Sequence, residues 1–100
     1  MEQVKQRIYA NWDYPYEAQQ RGLQGQLVIE FHIAKDGRLQ FIELRNSSGQ
    51  VILDNTALMA VKLAQMYPPL PDAMRREVLP VVGIFVYKLR DPRSVLKLLQ

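Results

Sequence analysis

The eight residues Gln26–Ile33 constrain this chain more than any other stretch. Leu27, Ile29, Phe31 and Ile33 occupy one phase of a two-residue period, and Gln26, Glu30 and His32, joined by Val28, occupy the other. A period of two is the signature of a strand with one buried face. Lys35-Asp36-Gly37 follows at once, and Asp-Gly is among the strongest short hairpin signals. Arg38–Arg45 then returns as a second strand. Its apolar residues Leu39, Phe41, Ile42 and Leu44 slip phase at Phe41-Ile42, which predicts a bulge or a change of face there. An antiparallel pair with one apolar face needs a cover, and the flanking segments have helical periodicity.

Val4, Ile8 and Trp12 recur every four residues, which predicts a helix over Glu2–Trp12. Pro15 disfavours the helical conformation at Tyr14 and so ends it. It can then start a short second helix through Gln20, closed by Gly22. After the loop Asn46-Ser47-Ser48-Gly49, Asp54 can cap a helix over Asn55–Met66. The small residues Ala57, Ala60, Val61 and Ala64 let that helix lie close on a sheet. Pro68-Pro69-Leu70-Pro71 holds an extended connector. Val78–Leu89 is a third strand, with Val81, Gly83, Phe85, Tyr87 and Leu89 on one side and Val82, Ile84 and Val86 on the other. Asp91-Pro92 reads as a cap with proline at the first helical position, opening an amphipathic helix over residues 92–100. The expectation is an α+β fold: a three-stranded antiparallel sheet with helices packed on one face, in the order α-(α)-β-β-α-β-α.

The 100 residues suit one domain, with a core over about 4–89 and the terminal helix as an addition. With 48% apolar and 23% charged residues, the chain is too hydrophobic to be disordered. No apolar run approaches the roughly 20 residues of a membrane span, and no basic-then-apolar leader opens the sequence. The net charge of +3 is scattered, with Arg75-Arg76 the sole adjacent basic pair, so a mixed-charge surface is expected and nucleic acid is not a partner. The absence of cysteine removes disulfides and thiolate metal sites, and it is compatible with cytosol or periplasm.

Chemistry-bearing residues do not converge. His32 is the only histidine and lies on the polar phase of its strand. Ser47 and Ser48 read as turn formers, the aspartates as turn and cap residues, and the glycines form no phosphate-cradling pattern. The expectation is therefore no enzyme, no cofactor and no metal. The third strand is the informative oddity. In a sheet covered on one side, Val82, Ile84 and Val86 would face water. Either the terminal helix or a second protomer buries them, or a partner chain uses this strand through its unpaired edge.

The ordered set Tyr14-Pro15, Ala18, Gly22, Gly25, Phe31, Asp36-Gly37, Ser47-Ser48-Gly49, Leu53-Asp54, Ala57, Pro68-Pro69-Leu70-Pro71 and Phe85-Val86-Tyr87-Lys88-Leu89 resembles the C-terminal domain of the TonB family of energy transducers. The resemblance implies the periplasmic end of an inner-membrane-anchored protein whose membrane helix and Pro-rich stalk lie outside these residues. It implies an ExbB–ExbD-type motor, driven by the proton gradient, acting through that N-terminal region. It also implies docking of the TonB box of an outer-membrane transporter by strand addition, so that force opens a path for siderophore, haem or cobalamin. Carried over by position, the pairing edge would be Val81, Val82, Gly83, Ile84, Phe85, Val86 and Tyr87, with Tyr14 and Pro15 as a second contact region. The residues before Tyr14, Asn11-Trp12-Asp13, depart from the family pattern. A TolA-like adaptor of another envelope machine and a homodimer are the alternatives carried forward. The terminal helix is expected to act as a lid over the third strand or as a dimerisation element.

Overall fold

The computed structural model describes residues 2–71, 77–89 and 95–99. Helix α1 spans Glu2–Asn11 and helix α2 Tyr16–Gln20; strands β1 and β2 span Gly25–Ala34 and Leu39–Asn46. Helix α3 (Val51–Leu63), strand β3 (Val78–Tyr87) and strand β4 (Val95–Leu99) complete the order. The sheet is antiparallel throughout, with four strands in the order β2-β1-β3-β4.

This corrects the expected fold in one respect. Residues 95–99 of the anticipated terminal helix form a strand paired to β3, and the sheet has four strands instead of three. The Asp91-Pro92 cap lies outside the described residues. A nine-residue helix is marginal because nucleation is costly. The neighbouring strand offers a row of unpaired backbone groups, and pairing with it satisfies both chains. Leu96 goes into the core while Lys97 stays in water, an alternation that only a strand provides.

The core forms where the inward phases of all four strands meet the helices. Leu27, Ile29, Phe31 and Ile33 of β1, Leu79, Val81, Phe85 and Tyr87 of β3 and Leu96 of β4 are buried there. Val4 and Ile8 of α1, Ala18 of α2, and Leu53, Ala57, Ala60 and Val61 of α3 cover them. The alanine face of α3 permits the close approach foreseen from sequence.

Helix α3 begins four residues before the anticipated Asn55. Gln50 is its N-cap and makes no side-chain cap bond. Asp54 instead reaches back from the first turn: its buried carboxylate accepts from the Ser48 N–H (2.9 Å) and the Ser48 Oγ (2.8 Å), and also from the Ser47 hydroxyl. The serine loop is thereby tied to the helix start, where a carboxylate is also favoured by the helix dipole.

The β1–β2 turn has a tertiary role. Gly37 has φ of 97°, and an added Cβ would lie 2.0 Å from the Tyr67 carbonyl oxygen. That approach lets the Tyr67 N–H donate to the Gly37 carbonyl (2.8 Å) and the Leu70 N–H to the Lys35 carbonyl (3.0 Å). The Tyr67 hydroxyl donates to the Val61 carbonyl (2.7 Å). The Pro68–Pro71 connector is thus pinned across the hairpin. The phase slip expected at Phe41-Ile42 is present and centred one residue earlier: His32 pairs with Phe41 and Ile33 with Leu39, so Gln40 is the extra residue of a bulge in β2 and Leu39 and Ile42 both face inward; a second shift leaves Arg45 unpaired between Leu44 and Asn46. Phe41 sits on the outer face with its ring 4.6 Å from that of His32, while Ile42 faces inward.

Candidate functional site

Two of the segments singled out from sequence meet in space. The Trp12, Tyr14, Phe85 and Tyr87 rings form one aromatic cluster. Trp12 stands edge-on to Phe85 (5.0 Å) and Tyr87 (5.2 Å), and Tyr14 stands edge-on to Tyr87 (5.1 Å). Edge-to-face contacts at these distances are favourable beyond the area they bury. A hydrogen-bond relay runs through the cluster: the Trp12 Nε1–H donates to the Tyr87 hydroxyl (2.7 Å), which donates to the Leu53 carbonyl (3.0 Å). The Tyr14 hydroxyl donates to the Leu23 carbonyl. Burial pushes the Tyr87 and Tyr67 phenols well above the ordinary tyrosine range, and raises Tyr14 as well. Each phenol is held neutral as a donor, a structural use.

Pro15, with φ of −56° and ψ of 135°, turns the chain into α2. The Tyr14-Pro15 segment therefore lies against the Tyr87 end of β3, beside a groove of about 850 Å³ whose walls include Asp13, Glu17, Leu23, Ile52, Met59 and Leu63. The Glu17–Arg21 pair on its rim is 3.7 Å apart and exposed, an arrangement that adds little stability.

Residues Val81 to Tyr87 lie in β3, with Val81, Gly83, Phe85 and Tyr87 facing the core and Val82, Ile84 and Val86 facing outward, the phases read from sequence. Gly83 is buried, and a methyl there would lie 2.9 Å from the Phe85 ring. The free border expected for this strand is not present. Val82 to Val86 pair with Leu99 to Val95 of β4 on one side and with Glu30 to Gln26 of β1 on the other. The edges of the sheet are β2 and β4.

Sequence reasoning missed two residues here. Leu96 is fully buried opposite Phe85, and its N–H donates to the Tyr9 hydroxyl (2.7 Å) of α1. That bond ties the outer side of β4 to a helix. Length was the available signal: a stretch of five residues, four of them apolar, suits a strand better than a helix. His32 and Glu30 lie on the outer face of β1, with Nε2 to Oε2 at 2.6 Å. Arg45 pairs with Glu30 and, at 3.2 Å, with Glu43. The Arg45 hydrogen bond, then that of His32, holds the Glu30 carboxyl below its ordinary range. Among the described residues, no three His, Cys, Asp or Glu side chains are grouped to hold a metal ion.

These elements define a small α+β domain with a helix-covered antiparallel sheet and a short strand, β4, at one edge, and comparison gives it a family. The sequence model for the Gram-negative bacterial TonB protein C-terminal matches residues 10–89, and the chain belongs to that family. It is 36% identical over 75 residues to Protein TonB of Pasteurella multocida strain Pm70, covering 75% of this chain and 29% of that protein. It is 32% identical over 77 residues to Protein TonB of Pseudomonas putida, covering 76% and 32% respectively. The chain thus spans about a third of the length of these relatives. Two solution structures of the Helicobacter pylori TonB C-terminal domain superpose on it. The 179–285 form gives a TM-score of 0.75 at 29% identity, covering 90% of this chain and 80% of that one. The 194–285 form gives 0.68 at 28% identity, covering 88% and 91%. The family is periplasmic in Gram-negative bacteria.

Proposed function

We propose that this domain is the receptor-gripping end of a TonB-like energy transducer. It takes the TonB box of an outer-membrane transporter as an added strand on β3 and carries tension from an ExbB–ExbD-type motor through the parent protein's N-terminal region. The cargo class is siderophore, haem or cobalamin. The domain works by binding, without a cofactor and without catalysis.

One observation carries this reading: the β3 border at Val82 to Val86 is held by a strand of only five residues. An incoming peptide can exchange with β4 one ladder bond for another, so the backbone cost is small. The cost lies in Leu96. Uncovering it forfeits about 1.5–3 kcal/mol of burial, together with the Tyr9 bond. A competent peptide therefore places a large aliphatic residue opposite Phe85. Tyr14 and Pro15, packed at the Tyr87 end, offer a second contact to the flanking residues of the peptide. Strand pairing pulled along its length shares the load over several bonds, which suits a force-bearing joint.

Titration of the isotope-labelled chain with box peptides from several transporters tests this. Shifts are expected at Val81 to Tyr87 and near Tyr14, with loss of the cross-peaks between β3 and β4. Replacing the peptide's aliphatic residue by Asp should weaken binding at least roughly tenfold, the burial term above. Shifts confined to the Gly37 hairpin would overturn the placement.

A further inference from the structure

Among the described residues, none of β3 lines the groove between the end of α1, α2 and α3. On the α3 side its wall is a stripe at helical spacing, Val51, Asn55, Met59 and Leu63, turned away from the face that carries Leu53, Ala57 and Ala60 into the core. Val51 is 73% exposed, Leu63 58% and Met59 52%. Single exposed apolar residues are ordinary. Three aligned on one wall of a groove of about 850 Å³ mark an interaction surface.

Charge says what that surface accepts. The chain as a whole carries +3, yet the charged side chains lining the groove are Asp13, Glu17 and Arg21, a net excess of one negative charge. Glu17 and Arg21 answer each other at 3.7 Å. Asp13 is exposed and has no partner among the described residues. Asn11, also on the wall, ends α1, and the last turn of that helix carries no basic residue. The negative end of the α1 dipole therefore stands uncompensated beside Asp13. The positive end of α3 is already met by the buried Asp54 carboxylate. The Trp12–Tyr87–Leu53 relay holds these two helix ends together. The anionic site thus lies at the Val51 end of the stripe, with Met59 and Leu63 farther along it.

A lysine or arginine matches the first end and aliphatic side chains match the second. Gln50 and Asn55 add side-chain amides that make no bond among the described residues, each able to donate to and accept from a peptide backbone. A helical ligand has satisfied its own backbone and would leave these amides unused, whereas an extended one has not. We propose that this groove binds an extended peptide segment of a partner protein, with its cation at Asp13 and its aliphatic residues along Met59 and Leu63.

Val51 and Leu63 stand roughly 18 Å apart along the helix, the span of about five extended residues. Alternate side chains of such a segment face the groove, so the pattern it reads is two aliphatic residues and one basic residue, each separated by one position. Rim charge sets selectivity more than affinity, so the contact is weak and discriminating. Strand docking at β3 is not required for it, because no described residue of that strand takes part.

Titration of the isotope-labelled chain with the end-blocked peptide Lys-Ser-Leu-Ser-Leu-Ser-Lys tests it; a lysine at each end makes the direction of binding immaterial. Saturable shifts are expected at Asp13, Val51, Asn55, Met59 and Leu63, with a Kd of about 1 mM or tighter. Exchanging both lysines of the peptide for glutamate, or both leucines for serine, should weaken binding roughly tenfold. Asp13→Lys alters an exposed side chain outside the core, and should weaken the lysine peptide roughly fivefold while strengthening the glutamate peptide. Met59→Ser should weaken the lysine peptide roughly threefold or more. Absence of saturable shifts, equal binding of the glutamate or the serine peptide, or shifts confined to β3 would overturn the proposal. Shifts of the same residues on concentrating the chain without peptide would make a second copy the occupant and overturn it as well.

Discussion

Tyr87 shows how much one polar atom can hold. Its ring fills the core and its hydroxyl serves both the Trp12 indole and the Leu53 carbonyl. Tyr87→Phe keeps the volume and strands two buried groups, which should cost about 1–3 kcal/mol, read as a lower denaturation midpoint with unchanged slope. Gly37 is constrained differently. Its positive φ and the Tyr67 carbonyl 2.0 Å from any Cβ leave no room for alanine. Gly37→Ala should destabilise by about 2 kcal/mol or more through strain and a displaced turn. Faster amide exchange at Tyr67 and Leu70 would distinguish this from a global effect, because those two N–H groups bond to the hairpin.

At the scale of elements, β4 is the part whose identity depends most on its surroundings. It has five residues, one fully buried side chain and one tie to α1. Leu96→Ala should cost about 2–5 kcal/mol if the site cannot collapse, and most of that should appear as local opening of β4. Hydrogen exchange is expected to speed up at Val95, Lys97 and Leu99 while β1 amides stay protected; uniform loss of protection would contradict it. The same variant should bind box peptides more tightly, since the occupant of the β3 border is weakened. Helix α3, by contrast, is fixed by its own residues: the alanine face dictates close packing wherever the segment is placed.

For the whole molecule, pH reports on both faces of the sheet. On the outer face the Glu30 carboxyl sits below its ordinary value, so its contribution is present above about pH 4.3 and is lost as pH falls through the lower folded value. On the inner side the phenols of Tyr67 and Tyr87 are raised, so the unfolded chain ionises first. Their contribution is complete below about pH 10 and declines above it as pH rises toward the folded values. Thermal melts across pH should give a plateau at neutral pH, a modest acid-side decline and a steep alkaline one. Tyr87→Phe should make the alkaline decline shallower, and an unchanged slope would contradict the assignment.

Much of this was legible in the amino acids. The period-two alternation of Gln26–Ile33 with Asp36-Gly37 determined the hairpin and which side chains face inward. The small-residue face of α3 determined a helix-on-sheet packing, and the ordered motifs identified the family. What lay beyond the sequence were the relations set by partners far apart in the chain. Val95–Leu99 carries too little local preference to choose between helix and strand, so the open border of β3 and the hydroxyl of Tyr9 chose for it. The start of α3 at Val51 had a local cause instead: Asp54 bonds back to Ser48, six residues away, from inside the first turn and so does not mark the helix start. Alternation and small-residue spacing act within a few residues and can be read directly. Strand pairing at a border and the satisfaction of buried polar groups depend on which surfaces arrive there, and only the folded chain brings those together.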